Sequence, residues 1–210
     1  MRILVICDDY WHPARVPHAG LAPLETGETV FDWIEDAAEW SAERLDDYPL
    51  VILVKSDNVS AVDQTPWITP AVQAAFVDYV QSGHGLLAVH SATAGVSRAF
   101  ELRRLLGGAF DHHPAQCPVT VEPQGVHPIT VGVAPFTAQD EHYFINLDDP
   151  LAEVFLTTQS EHGVQPGGWT RLEGTGRVAV ITPGHNVEVW LQPDFQTLLR
   201  NALDWCLKGG

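Results

Sequence analysis

Gly83-His84-Gly85-Leu86-Leu87-Ala88-Val89-His90-Ser91-Ala92-Thr93-Ala94 is the stretch whose reading decides the fold. Leu86 to Val89 is a continuous apolar run, bounded by glycine before it and by a histidine and small residues after it. A short run without polar alternation reads as a strand buried on both faces of a parallel sheet, although periodicity alone also admits a helix. The small residues beyond Val89 permit a tight strand-to-loop turn. Ligands of open α/β sheets sit outside the carboxyl ends of the strands, so His90 is expected at the binding edge.

Working outward, Met1 to Cys7 and Leu50 to Val54 are two further buried-strand candidates. Asp8-Asp9-Tyr10-Trp11-His12-Pro13 follows the first, and a proline-bearing loop runs on to Glu25. Val30, Trp33, Ile34, Ala37, Ala38, Ser41 and Leu45 recur at helical spacing and predict an amphipathic helix between those strands. That β-α-β order implies a parallel pair with a right-handed crossover. Thr69-Pro70 reads as a helix start, with Thr69 as N-cap and Pro70 at the first helical position. Its stripe is Val72, Ala75, Phe76, Tyr79 and Val80, and Gly83 closes it. A short helix is expected over residues 97–106. Strands are expected near residues 119–122, 142–145, 154–158, 170–172 and 177–182. A last helix, capped by Pro193-Asp194, carries Phe195, Leu198, Leu199, Ala202, Leu203 and Cys206 on one face. The expected architecture is one domain over residues 1–210. It is a three-layer α/β/α sandwich of flavodoxin-like type, with a mostly parallel sheet and β extensions.

Charge and composition exclude several classes. Eleven Lys and Arg against 27 Asp and Glu leave a net charge of -16, a field that repels a phosphate backbone and disfavours nucleic acid. Apolar runs are too short to span a bilayer. A strand-like run opens the chain in place of a charged leader, so a cytoplasmic protein without membrane partners is expected. Cys7, Cys117 and Cys206 lie far apart, form no CxxC pair and read as reduced thiols, with Cys7 and Cys206 on apolar faces.

Ten histidines are many for this length. His12, His90, His113 and His185 stand in loops at strand ends, beside the carboxylates Asp8, Asp140 and Glu141. Such a set could hold a metal or work as a general acid/base pair; a turn histidine bonded to backbone is the plain alternative for each. No HExxH motif declares a metal. His112 and His113 are adjacent and point to opposite sides of an extended segment, and His113 is the one expected to face the cleft and to ligate a metal if one binds. His127-Pro128 suits a turn. Ser91 lacks the glycines of a nucleophile elbow, and no cysteine stands after the central strand. Trp11 and Trp190 are candidate sugar-stacking rings, although Trp is more often a core residue.

Taken in order, these pieces resemble the trehalose-utilisation (ThuA-like) family. They run from Asp8-Asp9 with His12-Pro13, through Gly83 to Ala92, Leu106-Gly107-Gly108-Ala109-Phe110, His113-Pro114 and His127-Pro128-Ile129-Thr130. They continue through Asp140-Glu141-His142-Tyr143, Trp169-Thr170-Arg171 and Gly174-Thr175-Gly176-Arg177-Val178 to Pro183-Gly184-His185 and Trp190. One departure is His84, which interrupts the usual glycine run but precedes the strand. The resemblance implies a class I glutamine amidotransferase-like fold whose nucleophile cysteine is replaced, here by His90. It also implies a role in sugar utilisation, with trehalose, related disaccharides or their keto forms as substrate class. Two functions are therefore expected to compete. One is a sugar-modifying enzyme with His90, Glu141 and His185 as catalytic groups and Asp8, His12, Tyr143 and Trp190 around the substrate. The other is a non-catalytic sugar-binding or accessory protein that kept the fold. Glutaminase chemistry lacks its cysteine. The expected partners are a small sugar and further copies of the chain.

Overall fold

The computed structural model describes residues 1–208. Strand β1 (Arg2–Cys7) leads into helix α1 (Arg15–Leu21), strand β2 (Val30–Ile34) and the short helix α2 (Ala42–Leu45). Strand β3 (Leu50–Val54), helix α3 (Pro70–Gln81), strand β4 (Gly85–Val89) and helix α4 (Phe100–Leu106) complete the first half. The second half holds β5 (Gly108–His112), β6 (Cys117–Pro123), β7 (Phe136–Asp140), β8 (Phe144–Leu147), β9 (Glu153–Ser160), β10 (Gly163–Glu173) and β11 (Gly176–Ile181). Helices α5 (Val187–Trp190) and α6 (Pro193–Cys206) follow.

Among the described residues one sheet has the order β2-β1-β3-β4-β11-β10-β9-β6-β7. Its first five strands are parallel and the last four antiparallel. Strands β5 and β8 pair separately. Successive side chains of a strand point to opposite faces, and the core divides accordingly. Ile3, Val5, Ile52, Leu87 and Ala179 pack with α6 on one side. Leu4, Ile6, Val51, Leu86 and Val178 pack with α3 and α4 on the other. Both faces of the parallel strands are thus dry, which is why these strands read as unbroken apolar runs. In α6 the stripe Phe195, Leu198, Leu199, Ala202, Leu203 and Cys206 is buried, and each fully buried Leu or Phe contributes about 1.5–3 kcal/mol.

The helix expected over residues 30–45 is not there. Val30, Phe31, Trp33 and Ile34 instead form β2, in register with β1 from Arg2↔Val30 to Ile6↔Ile34. Their β-branched and aromatic side chains suit a sheet edge, and Arg2 Nε donates to Asp32 Oδ2 at 2.7 Å across the pair. Helix is confined to a 3-10 turn, Ala37–Glu39, and to residues 42–45, the latter capped by Ser41 Oγ accepting from Arg44 N. The missing helix is α1, inside the proline-bearing loop, where Pro17 falls in the first turn and costs no hydrogen bond. No strand is expected at β5 or β7; of the β extensions, β10, β9, β6 and β7 continue the main sheet, and β5 and β8 stand apart from it. The strand expected from His142 begins at Phe144, after His142 and Tyr143 have turned inward. Asp194 does not cap α6: Gln192 is the N-cap, Pro193 stands at the first position, and Asp194 Oδ1 accepts from Ala134 N.

Candidate functional site

Two non-glycine residues among those described have left-handed backbone, Asp8 (φ 68°) and His90 (φ 46°). Each directly follows the carboxyl end of a parallel strand, β1 and β4. Such conformations cost about 1–3 kcal/mol and persist where the surroundings over-determine them. At Asp8 the surroundings are visible. Asp8 Oδ1 accepts from Ala14 N at 2.8 Å, and the wholly buried Lys55 spends its ammonium on three carbonyls, those of Cys7 (3.2 Å), Asp8 and Glu35 (3.2 Å). Burial lowers the Lys55 pKa, opposed by the Asp9 and Asp8 carboxylates.

This turn aims Asp9 inward. Its Oδ1 accepts from Trp11 N (2.9 Å), His12 N (3.1 Å) and His12 Nδ1 (2.8 Å), and its Oδ2 from Ser56 N (2.9 Å). Burial alone would raise the Asp9 carboxyl; His12 and the amides of Ser56 and Trp11 reverse this and bring it to about 2. An ionised Asp9 therefore holds His12 with Nδ1 protonated and Nε2 facing the cleft.

His90 is fully buried, and its Nδ1 donates to Thr182 O at the end of β11 (2.8 Å). Its Nε2 lies 3.5 Å from Glu141 Oε2. Tyr143 stacks on the His90 ring at 4.0 Å between centroids, and its hydroxyl reaches His12 Nε2 at 3.4 Å. Burial raises the Tyr143 phenol, helped by Glu141, so it remains a neutral donor.

Glu141 and His185 arrive from opposite ends of the sequence's second half, joined by Asp140. Both oxygens of this buried carboxylate accept backbone N–H groups of the loop after β11, from Gly184 to Oδ2 and from His185 to Oδ1, each at 2.9 Å. Burial pushes the Asp140 carboxyl up, against the pull of His90 and those amides. His185 Nδ1 stands 3.1 Å from Glu141 Oε2. Burial would raise the Glu141 carboxyl too, but His185 and His90 hold it well below the usual range. Burial opposes protonation of His185, yet Glu141 leaves its pKa raised.

His12, His90, Glu141 and His185 thus converge, one ligand atom of each lying within 4.8 Å of the others. A cleft of about 430 Å³ opens above them, lined by His12, Glu141, Tyr143 and His185 and walled by Trp11, Phe110 and Asn58. His113 also lines it, with Nε2 3.7 Å from Glu141 Oε1, but stands outside the four-residue group.

Two residues expected around the substrate, Trp190 and Asp8, do not line the cleft. Trp190 is fully buried, and its Nε1 donates to Gly184 O at 2.8 Å. It anchors the loop that carries His185 and lies away from the residues that line the cleft. Asp8 shapes its turn and does not line the cleft; the carboxylate that matters beside it is Asp9, whose i,i+3 spacing to His12 was the available signal. Ser91 is buried, and His127 is a turn residue whose Nδ1 accepts from Ile129 N. Cys7, Cys117 and Cys206 are all buried and free.

The chain is thus an α/β protein whose strained His90 stands at the carboxyl end of β4, in the parallel half of the sheet and beneath the cleft. The chain belongs to the ThuA family, described as trehalose utilisation, whose profile matches residues 2–206. A ThuA-like protein from Bacteroides uniformis ATCC 8492 superposes with a TM-score of 0.75 at 22% identity, over 98% of this chain and 91% of that one. A ThuA-like protein from Parabacteroides merdae ATCC 43184 does so with 0.79 at 19% identity, over 100% and 90%. A GMP synthase component from Thermoplasma acidophilum shares the fold at 0.62 and 14% identity, over 98% and 94%. No curated protein matches the sequence. No helix among the described residues is long and apolar enough to cross a membrane.

Proposed function

We propose that this protein acts on a sugar of the trehalose class, a disaccharide or its keto form, in the cleft above His90. The observation that carries the reading is the convergence of His12, His185 and Glu141, backed by the buried His90, on a cleft walled by Trp11 and Phe110. Aromatic walls suit the apolar face of a sugar ring, and Asn58 and Tyr143 offer hydrogen bonds to its hydroxyls. Membership of a family described by trehalose utilisation supports the substrate class. The floor supplies the chemistry. A sugar hydroxyl placed there meets Glu141 as acceptor, a keto oxygen meets the Tyr143 hydroxyl as donor, and His113 stands beside them at the cleft. A pure binding site would need hydrogen-bonding groups and rings, but not a buried cluster of titratable groups; this favours the enzyme over the accessory-protein reading.

The test is incubation of purified protein with trehalose, related disaccharides and their 3-keto forms, with products followed by NMR. Turnover by the wild type that falls at least about 100-fold in a folded Glu141→Gln variant is the expected result. Saturable binding without turnover would establish the accessory-protein reading, and neither binding nor turnover would overturn the sugar assignment.

A further inference from the structure

We infer that His12 Nε2, His90 Nε2, His185 Nδ1 and Glu141 Oε2 form a binding site for one divalent transition-metal ion, of the zinc type. The inference rests on the cluster's geometry and not on the sugar reading.

The first argument is the direction of lone pairs. His90 Nδ1 gives its proton to Thr182 O, and His12 Nδ1 gives its proton to Asp9 Oδ1, both at 2.8 Å. With Nδ1 committed, Nε2 is the atom each ring has left to offer a ligand at the cluster. Nitrogen lone pairs facing a carboxylate repel it unless a proton or a metal cation lies between them, and a cluster of three such rings around one carboxylate suits a single shared metal ion. Metal-bound histidines are held in this way, with the distal N–H donated to a carboxylate or a backbone carbonyl.

The second argument is unpartnered atoms. His90 Nε2 and His185 Nδ1 are buried and have no hydrogen-bond partner. The 3.1 Å approach of His185 Nδ1 to Glu141 Oε2 is short enough for a hydrogen bond but lacks its alignment. Buried polar atoms are satisfied in the great majority of cases, and here two of them border the same small space.

The third argument is spacing and donor type. Around an ion with bonds near 2.0–2.1 Å, tetrahedral ligands stand about 3.3 Å apart. Glu141 Oε2 lies 3.1 Å from His185 Nδ1 and 3.5 Å from His90 Nε2. The widest separation within the four, up to 4.8 Å, calls for a modest inward movement on binding. Three imidazoles with one carboxylate suit zinc and its first-row neighbours better than magnesium or calcium, which prefer all-oxygen shells. With His90, Glu141 and His185 serving as ligands, His113 and Tyr143 remain at the cleft to handle protons.

The experiment uses tag-free, chelator-treated full-length protein titrated with Zn²⁺ and with Co²⁺, whose visible absorption reports imidazole ligation. One ion per chain is expected, with Kd below about 1 μM (near -8.2 kcal/mol by the standard conversion) and a rise in melting temperature on loading. Folded His185→Asn and Glu141→Gln variants should bind at least about 10-fold more weakly, and Asp9→Asn about 10-fold or more through its grip on His12. The exposed His112→Asn should leave binding unchanged. Wild-type protein that gives no Co²⁺ band and binds neither ion tighter than 100 μM, on the order of an adventitious surface site, would overturn the inference. Full-strength binding in both ligand variants would overturn it too. Metal binding with neither sugar turnover nor sugar binding would refute the sugar reading alone.

Discussion

Asp140→Asn is the most direct probe of how the fold builds its site. Asp140 ends β7, yet its two oxygens hold the loop that follows β11, although β10, β9 and β6 lie between those strands in the sheet. Both contacts are hydrogen bonds to a buried carboxylate, and hydrogen bonds to charged groups contribute about 1.5–3 kcal/mol each. Asparagine keeps one oxygen, now neutral, and turns an NH₂ group toward the other backbone N–H. One bond weakens by about 1 kcal/mol, and one buried donor is left unsatisfied at about 1–3 kcal/mol. Relief of a buried charge offsets part of this, and the net expected loss is about 2–3 kcal/mol. For a chain of this size that is roughly 4–12 °C in Tm. Urea unfolding followed by tryptophan fluorescence, at about pH 7.5 with chelator present, measures it. The loop carries His185, so the sugar turnover proposed above should fall as well, while far-UV circular dichroism stays native. A loss below about 0.5 kcal/mol, within the range of ordinary surface changes, would refute the reasoning. It would mean that Asp140 is protonated and that a single oxygen suffices.

Lys55→Met should cost about 2–4 kcal/mol in urea unfolding, because the carbonyls of Cys7, Asp8 and Glu35 lose a common donor inside the protein; a loss under about 1 kcal/mol would show that the strained Asp8 turn does not depend on it. Gly176→Ala should abolish soluble expression or destabilise by more than about 3 kcal/mol, since a Cβ there overlaps the Val80 carbonyl. Gly27→Ala, with open space around it, should stay within about 0.5 kcal/mol of wild type. His127 is buried, and burial lowers its pKa. The unfolded chain therefore binds this proton more readily, and His127 favours the fold above its ordinary pKa and progressively less as pH falls below it. In His127→Asn, which keeps an acceptor for Ile129 N, the drop in urea midpoint from about pH 7.5 to about 5.5 should be smaller than in wild type; an equal drop would place that pH dependence elsewhere.

Parts of the site were legible because they depend on local features. The abrupt end of an apolar run at His90 marks a strand end, and Pro183-Gly184-His185 follows another such run. His113 was separable from His112 by the alternation of an extended segment. Asp9 was overlooked beside Asp8 because adjacent carboxylates in a loop cannot be ranked without knowing which one the turn aims inward. Trp190 looked like a ligand ring because indole is equally at home in a loop and in a core; only the contact with Gly184 O decides.

The sequence by itself determined the buried parallel strands, the capped helix starting at Thr69-Pro70 and the apolar face of the last helix. These elements record burial in their own periodicity, and each can be read within a dozen residues. Tertiary structure alone decided that residues 30–34 pair with β1 as a strand, and that β7 returns to clamp the loop after β11. It also decided that His12 meets Tyr143, 131 positions away. Pairing between distant segments depends on packing and on which buried polar groups find partners, and no local periodicity carries that information.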